Sequence, residues 1–299
     1  MSQAEGRVVM PDGVGLYYRV IRGGPGALLV PNGFHLLDDF AALAERRTLV
    51  FYDVRNRGRS DAVADPTLLR RGLHQDADDL DVVRRHLGLE QVDVLTHSYA
   101  GWIAVLYAAR HGRHAGRLVL LGPSEPRAGK VYPAHLTGAD DTLRATLARI
   151  GELQKERETL AAEEFCRRFW SILRVIYVTD PAQAHRVDWN RCELPNERNA
   201  WRYWNEHLLP SLRGLDPAAE GVAGLRTPVL IVHGTRDRSA PYGGAREWAM
   251  LLPHARLLAV PDAGHAPWVE SPAAVFAAIG AFLDGAWPEA AERVRALEP

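Results

Sequence analysis

The chain has 299 residues, with 36 Lys plus Arg against 37 Asp plus Glu and a formal net charge of -1. That balance excludes the basic footprint of a nucleic-acid or anionic-membrane binder, and 47% apolar residues suffice for the core of one large domain. No apolar run reaches membrane-spanning length and residues 1–7 lack a basic region followed by an apolar stretch, so a soluble, cytoplasmic protein is expected.

Two apolar stretches, 8–10 and 14–20, flank Pro11-Asp12-Gly13 and predict a hairpin. Residues 22–26, Arg-Gly-Gly-Pro-Gly, precede a strand instead of joining strand to helix, so they read as a turn and not a phosphate loop. A strand follows at 27–31, then a helix at 36–44, a strand at 48–53 and a helix at 75–87 with Leu80, Val83 and Leu87 on one stripe. The run 92–95 ends abruptly at Ser98, before a helix at 102–110 and a strand at 117–121. From 124 to 224 the pattern changes: helical stretches at 143–160, 161–175 and 197–209 follow one another without a strand. A segment of that size is too long for a loop and predicts a helical insertion. Alternation resumes with a strand at 228–233, a helix at 245–252, a strand at 256–261 and a closing helix at 273–283. The expected fold class is therefore α/β, a mostly parallel sheet flanked by helices, with residues 1–123 and 225–299 as core and 124–224 as the insertion.

Three side chains at predicted strand ends combine into chemistry. Ser98 sits at a sharp strand-to-helix turn, where small residues are wanted two positions before and after; Ala100 fits this better than Thr96. A neutral hydroxyl is a poor nucleophile and needs a base, for which His265 is the candidate among 12 histidines. The second nitrogen of that imidazole needs an acid, and Asp237 is expected in this role with Asp262, three residues before His265, as competitor. All three lie on the sheet edge where open α/β folds place their ligands.

These segments resemble the α/β-hydrolase superfamily, and more closely its lidded members that include the proline iminopeptidase-like serine hydrolases. The family's G-x-S-x-G elbow appears as Thr96-His97-Ser98-Tyr99-Ala100, with both glycines replaced. Asn32-Gly33-Phe34 is similar to its oxyanion segment, and Tyr52-Asp53-Val54-Arg55-Asn56-Arg57-Gly58-Arg59-Ser60-Asp61 to the Tyr-Asp-x-Arg-Gly-x-Gly-x-Ser-Asp stretch. Gly264-His265-Ala266-Pro267-Trp268-Val269-Glu270-Ser271-Pro272 matches the family's Gly-His-x-Pro-x-x-Glu-x-Pro. The resemblance implies that 124–224 is a lid, that the backbone amides of Phe34 and Tyr99 bind the oxyanion, and that no metal or organic cofactor is required. It also favours Asp237 over Asp262, and a serine nucleophile argues against haloalkane dehalogenase or epoxide hydrolase chemistry.

The expected substrate is a small molecule or short peptide. An N-terminal prolyl peptide leads, with Glu193, Glu197 and Glu206 as candidates for its amine; an ester, thioester or lactone is the alternative, and a ligand receptor on the same fold a third. Solvated ion pairing with arginine competes as the role of those glutamates. Trp189, Trp201 and Trp204 suggest an aromatic cavity or simple helix anchors. Cys166 and Cys192 show neither metal-site nor redox-pair spacing, and Cys166 reads as a small buried apolar residue. Nucleic-acid and membrane partners are not expected, and oligomeric state is not legible.

Overall fold

Continuous apolar runs become strands covered on both faces. The computed structural model describes residues 3–189 and 191–298. Its sheet has eight strands, β1 Gln3–Val9, β2 Gly15–Ile21, β3 Ala27–Pro31, β4 Thr48–Tyr52, β5 Val92–His97, β6 Ala115–Leu121, β7 Val229–Gly234 and β8 Ala255–Val260, in the order β1-β2-β4-β3-β5-β6-β7-β8. The hairpin forms an antiparallel edge at β1, β2 and β4, and all later pairings are parallel. This is the expected fold class.

Alternate residues of each strand feed two helical layers, as a period of two requires. Leu29, Val94 and Leu120 face the side covered by α2 (Leu73–His86), α3 (Gly101–His111) and, further along the chain, the helix Tyr242–Leu251. Leu28, Leu95 and Leu121 face α1 (Gly33–Phe40) and the C-terminal helix Pro272–Leu283. The indoles of Trp102 and Trp248 meet edge to face, 4.8 Å between centroids, inside the first layer.

Between β6 and β7 the described residues form helices and turns and no strand. They include α4 (Asp141–Lys155), α5 (Ala162–Leu173), the short α6 (Ala200–Tyr203) and α7 (Leu209–Gly214). The helix expected at 197–209 is broken into a 3-10 turn, α6 and a π-turn at Trp204–Leu208. Ile150, Leu153, Phe165 and Ile172 give this segment an apolar cluster of its own. Val178, Ala184, Val187 and Trp189 join one core layer, and Leu208 and Leu212 join the other. The chain then completes α8 (Tyr242–Leu251), α9 (Pro267–Glu270) and α10 (Pro272–Leu283). No helix among the described residues is long and apolar enough to cross a membrane.

Candidate active site

Ser98 directly follows β5, and its backbone is left-handed, with φ 59. A non-glycine residue there costs about 1–3 kcal/mol and persists only where the surroundings hold it. Here they do: β5 is paired on both sides, α3 begins three residues later, and the Ser98 carbonyl accepts from Ser124 N at 3.3 Å. Thr96, where a glycine was expected, is fully buried and its hydroxyl has no hydrogen-bond partner.

Asp237 and His265 arrive from the neighbouring ends of β7 and β8. A Cβ on Gly234 would lie 2.2 Å from the carbonyl oxygens of Ala263 and Gly264, so only glycine lets these two strand ends close together. His265 Nδ1 then lies 2.7 Å from Asp237 Oδ2, both side chains fully buried. Asp237 Oδ1 accepts from the amides of Ser239 (2.7 Å) and Ala240 (2.8 Å), which fixes the carboxylate. His265 Nε2 is buried with no partner. Its ring lies 4.4 Å from that of His97, the residue before Ser98, and 4.8 Å from Tyr177. Asp262 instead leaves its side chain 85% exposed, 3.9 Å from Arg236 Nη1. Burial, helped by His265, holds His97 well below the usual histidine value.

The oxyanion segment departs from expectation at Phe34. A Cβ on Gly33 would meet Phe51 Cβ at 2.5 Å, so the chain crosses tightly over β4 and enters α1 at once. The Phe34 amide falls in the first helical turn, where N–H groups lack intrahelical partners, and Asp53 Oδ1 accepts it at 3.2 Å. Burial, opposed by hydrogen bonds from Arg59 and Phe34, pushes the Asp53 carboxyl up to about 6. Asn32, His35 and Leu36 border the cavity, whereas Phe34 does not. Tyr99 is next to Ser98 on the cavity wall, and its hydroxyl accepts from Asn32 Nδ2 and from Arg57 Nη1 (3.2 Å).

The cavity beside Ser98 measures about 380 Å³ and is walled by Phe165, Phe169, Trp170, Tyr177, Trp189, Trp201 and Trp204. Of the three glutamates expected to meet an amine, Glu193 is exposed and Glu206 is exposed and bonded to Arg202 Nε at 2.9 Å. Glu197 is buried at the cavity, but Arg57 Nε and Nη2 grip both its oxygens at 3.0 Å and Gly58 N donates at 2.9 Å. Burial and Arg57 depress the basicity of His35, which lies 2.9 Å from Arg57 Nη2. Sequence reasoning saw Arg57 only as part of a motif and could not assign its partner 140 residues away. It also left Cys166 and Cys192 unpaired, and the structure corrects this. They form a disulfide, Cα atoms 5.9 Å apart, joining α5 to the segment that carries Glu197. Spacing gave no sign of it because proximity depends on how α5 folds back; such pairs are typical of oxidising compartments.

Residues 20–272 match the model of the alpha/beta hydrolase fold family. The chain belongs to this family. Among its relatives is a proline iminopeptidase of Heyndrickxia coagulans, 25% identical over 91% of this chain and 92% of that protein. A proline iminopeptidase of Levilactobacillus brevis is 27% identical over 88% and 87%. The solved esterase from Exiguobacterium antarcticum superposes with a TM-score of 0.71 over 93% of this chain and 99% of that one, at 19% identity, a likeness of fold. The α/β-hydrolase is thus a hydrolytic enzyme by family, with a sequence similar to that of peptidases and a fold shared with esterases.

Proposed function

We propose that this α/β-hydrolase is a serine hydrolase working through an acyl-enzyme, with residues 124–224 as a lid over its cavity. Ser98 is the nucleophile, His265 the general base, and Asp237 the acid that holds the imidazole in the required tautomer and stabilises the imidazolium. The observation that carries the reading is the strained Ser98 at the strand end beside a buried His265 whose Nδ1 is bonded to Asp237 and whose Nε2 is unpartnered. Attack on a carbonyl carbon by Ser98 Oγ passes the proton to Nε2; collapse of the tetrahedral intermediate returns it to the leaving group, and water then repeats the sequence on the acyl-enzyme. Catalytic contacts of this kind are often open in the free enzyme and tighten with substrate. The Tyr99 amide is the proposed oxyanion donor, and the Phe34 amide serves only if it leaves Asp53.

A neutral carboxylic ester is the substrate class favoured by the cavity. Its walls are aromatic, and the buried Glu197 that could have met an ammonium is neutralised by Arg57. Glu125, which borders the same cavity, keeps an N-terminal prolyl peptide as the second reading. A fluorophosphonate should add once, at Ser98, and Ser98→Ala should lower turnover by about 10⁴- to 10⁶-fold. Aryl esters, prolyl arylamide and its N-acetyl form should then be compared at equal enzyme. Ester cleavage without arylamide turnover is expected; arylamide turnover abolished by acetylation would reverse the order, and labelling elsewhere than Ser98 would remove the mechanism.

A further inference from the structure

His233 is the penultimate residue of β7, fully buried, four residues before Asp237. Its Nε2 lies 3.1 Å from the Ala240 carbonyl oxygen and 3.3 Å from Asp237 Oδ2, the same oxygen that accepts from His265. A carbonyl and a carboxylate only accept, so Nε2 carries the proton, and Nδ1 is left as a bare acceptor. That Nδ1 is buried and has no partner. An aliphatic residue would fill this strand position without stranding a polar atom, so the desolvation of Nδ1 must be offset by what Nε2 does.

We propose that His233 is a positioning residue for Asp237: its N–H ties down the 237–240 turn through Ala240 and stands against the carboxylate oxygen that holds His265. This rests on the serine-hydrolase reading. The titratable groups facing His233 are Asp237 and His265, with His97 beyond them and the Tyr242 ring 6.1 Å away between centroids. Burial lowers its basicity against the opposing pull of Asp237, and with Nδ1 buried and unpartnered the ring acts through its Nε2–H dipole. A second cation there would compete with the His265 imidazolium for Asp237. A neutral N–H instead withdraws a little charge from Oδ2 while holding it in place.

Without that donor Asp237 gains orientational freedom and His265 alone uses Oδ2. The imidazolium is then better stabilised at rest, so the free base forms at higher pH. The full-length protein and its His233→Leu and His233→Gln variants, each checked by thermal unfolding, should be followed for fluorophosphonate labelling of Ser98 between about pH 5 and 9. In His233→Leu the acid limb should move up by about half a pH unit, a roughly threefold slower labelling below it. His233→Gln, whose amide nitrogen reaches the place of Nε2, should keep the parent profile. If His233→Leu does not fold, His233→Asn replaces it, because its shorter amide cannot reach both acceptors. An unmoved limb in a folded Leu or Asn variant overturns the proposal, as does a Gln variant that shifts as far as either. Failure of the parent protein to label at Ser98 removes the serine-hydrolase reading itself, and this inference with it.

Discussion

Two aspartates lie near His265 in sequence or in space, and only one of them touches its ring. Asp237 is desolvated, held by two amides and bonded to Nδ1, whereas Asp262 sits in solvent with a left-handed backbone, φ 52. Asp237→Asn should therefore lower kcat by about 10⁴-fold, because an amide can select the wrong imidazole tautomer in an otherwise intact geometry. Asp262→Asn should leave kcat within about twofold, as for a surface substitution away from any site. Steady-state rates of both variants with an aryl ester check this, and the reverse ranking would reassign the acid. Ser98 and Asp237 were legible as residue types at strand ends. Thr96 was a poor match to a glycine position, and the structure accommodates it by burying the side chain with its hydroxyl unpaired.

At the scale of elements, the proposed lid is attached through a few strong points. Asn196 Nδ2 donates to Ser60 O at 2.6 Å, and Glu197 beside it is locked by Arg57. Trp189 Nε1 and Trp268 Nε1 share Asp39 Oδ2, at 3.3 and 2.9 Å. Truncating one partner of a buried pair leaves the other charge uncompensated, so Glu197→Ala should cost about 3–5 kcal/mol in urea unfolding. Glu206→Ala, at an exposed pair, should cost less than about 1 kcal/mol. Equal effects would show that Glu197 is not the anchor. The disulfide closes a loop of 26 residues, which constrains the unfolded ensemble by about 3–4 kcal/mol in the chain-entropy account. Reduction should speed amide exchange in α5 and residues 191–197 while β3 and β5–β7 stay protected. Uniform protection before and after reduction would exclude a tethering role. None of these attachments was visible beforehand, because periodicity reports which face of a helix is apolar and not which distant residue meets it.

Over the whole molecule, stability should carry the mark of carboxyls that the fold buries. Asp76 is buried with Oδ2 unpartnered; desolvation and then Asp79 push its pKa up to about 8, against Arg55 and Arg57. A raised carboxyl value means that folding favours the protonated form. The resulting penalty is absent below the ordinary aspartate value of 3.8, grows as pH rises, and is complete above about 8. Asp76→Asn is neutral throughout, so its melting temperature should exceed the parent's at about pH 8 and approach it near pH 4. For a chain of this size each kcal/mol corresponds to about 2–4 °C. A Tm difference independent of pH would remove Asp76 as the source.

Alternating strands and helices, the order of Ser98, Asp237 and His265, and a helical segment between β6 and β7 could all be read from the chain. Each depends on local signals: apolar runs bounded by turns, and residue types at strand ends. Tertiary structure alone decided where the Phe34 amide goes and that Cys166 meets Cys192. It alone turned Glu197 from a candidate for binding an amine into the partner of Arg57, and brought His233 against Asp237. These are questions of distance between residues far apart in the chain or turned toward one another by a loop. They depend on burial, since a desolvated carboxylate must take whatever donors the fold brings to it, and no local pattern encodes which those are.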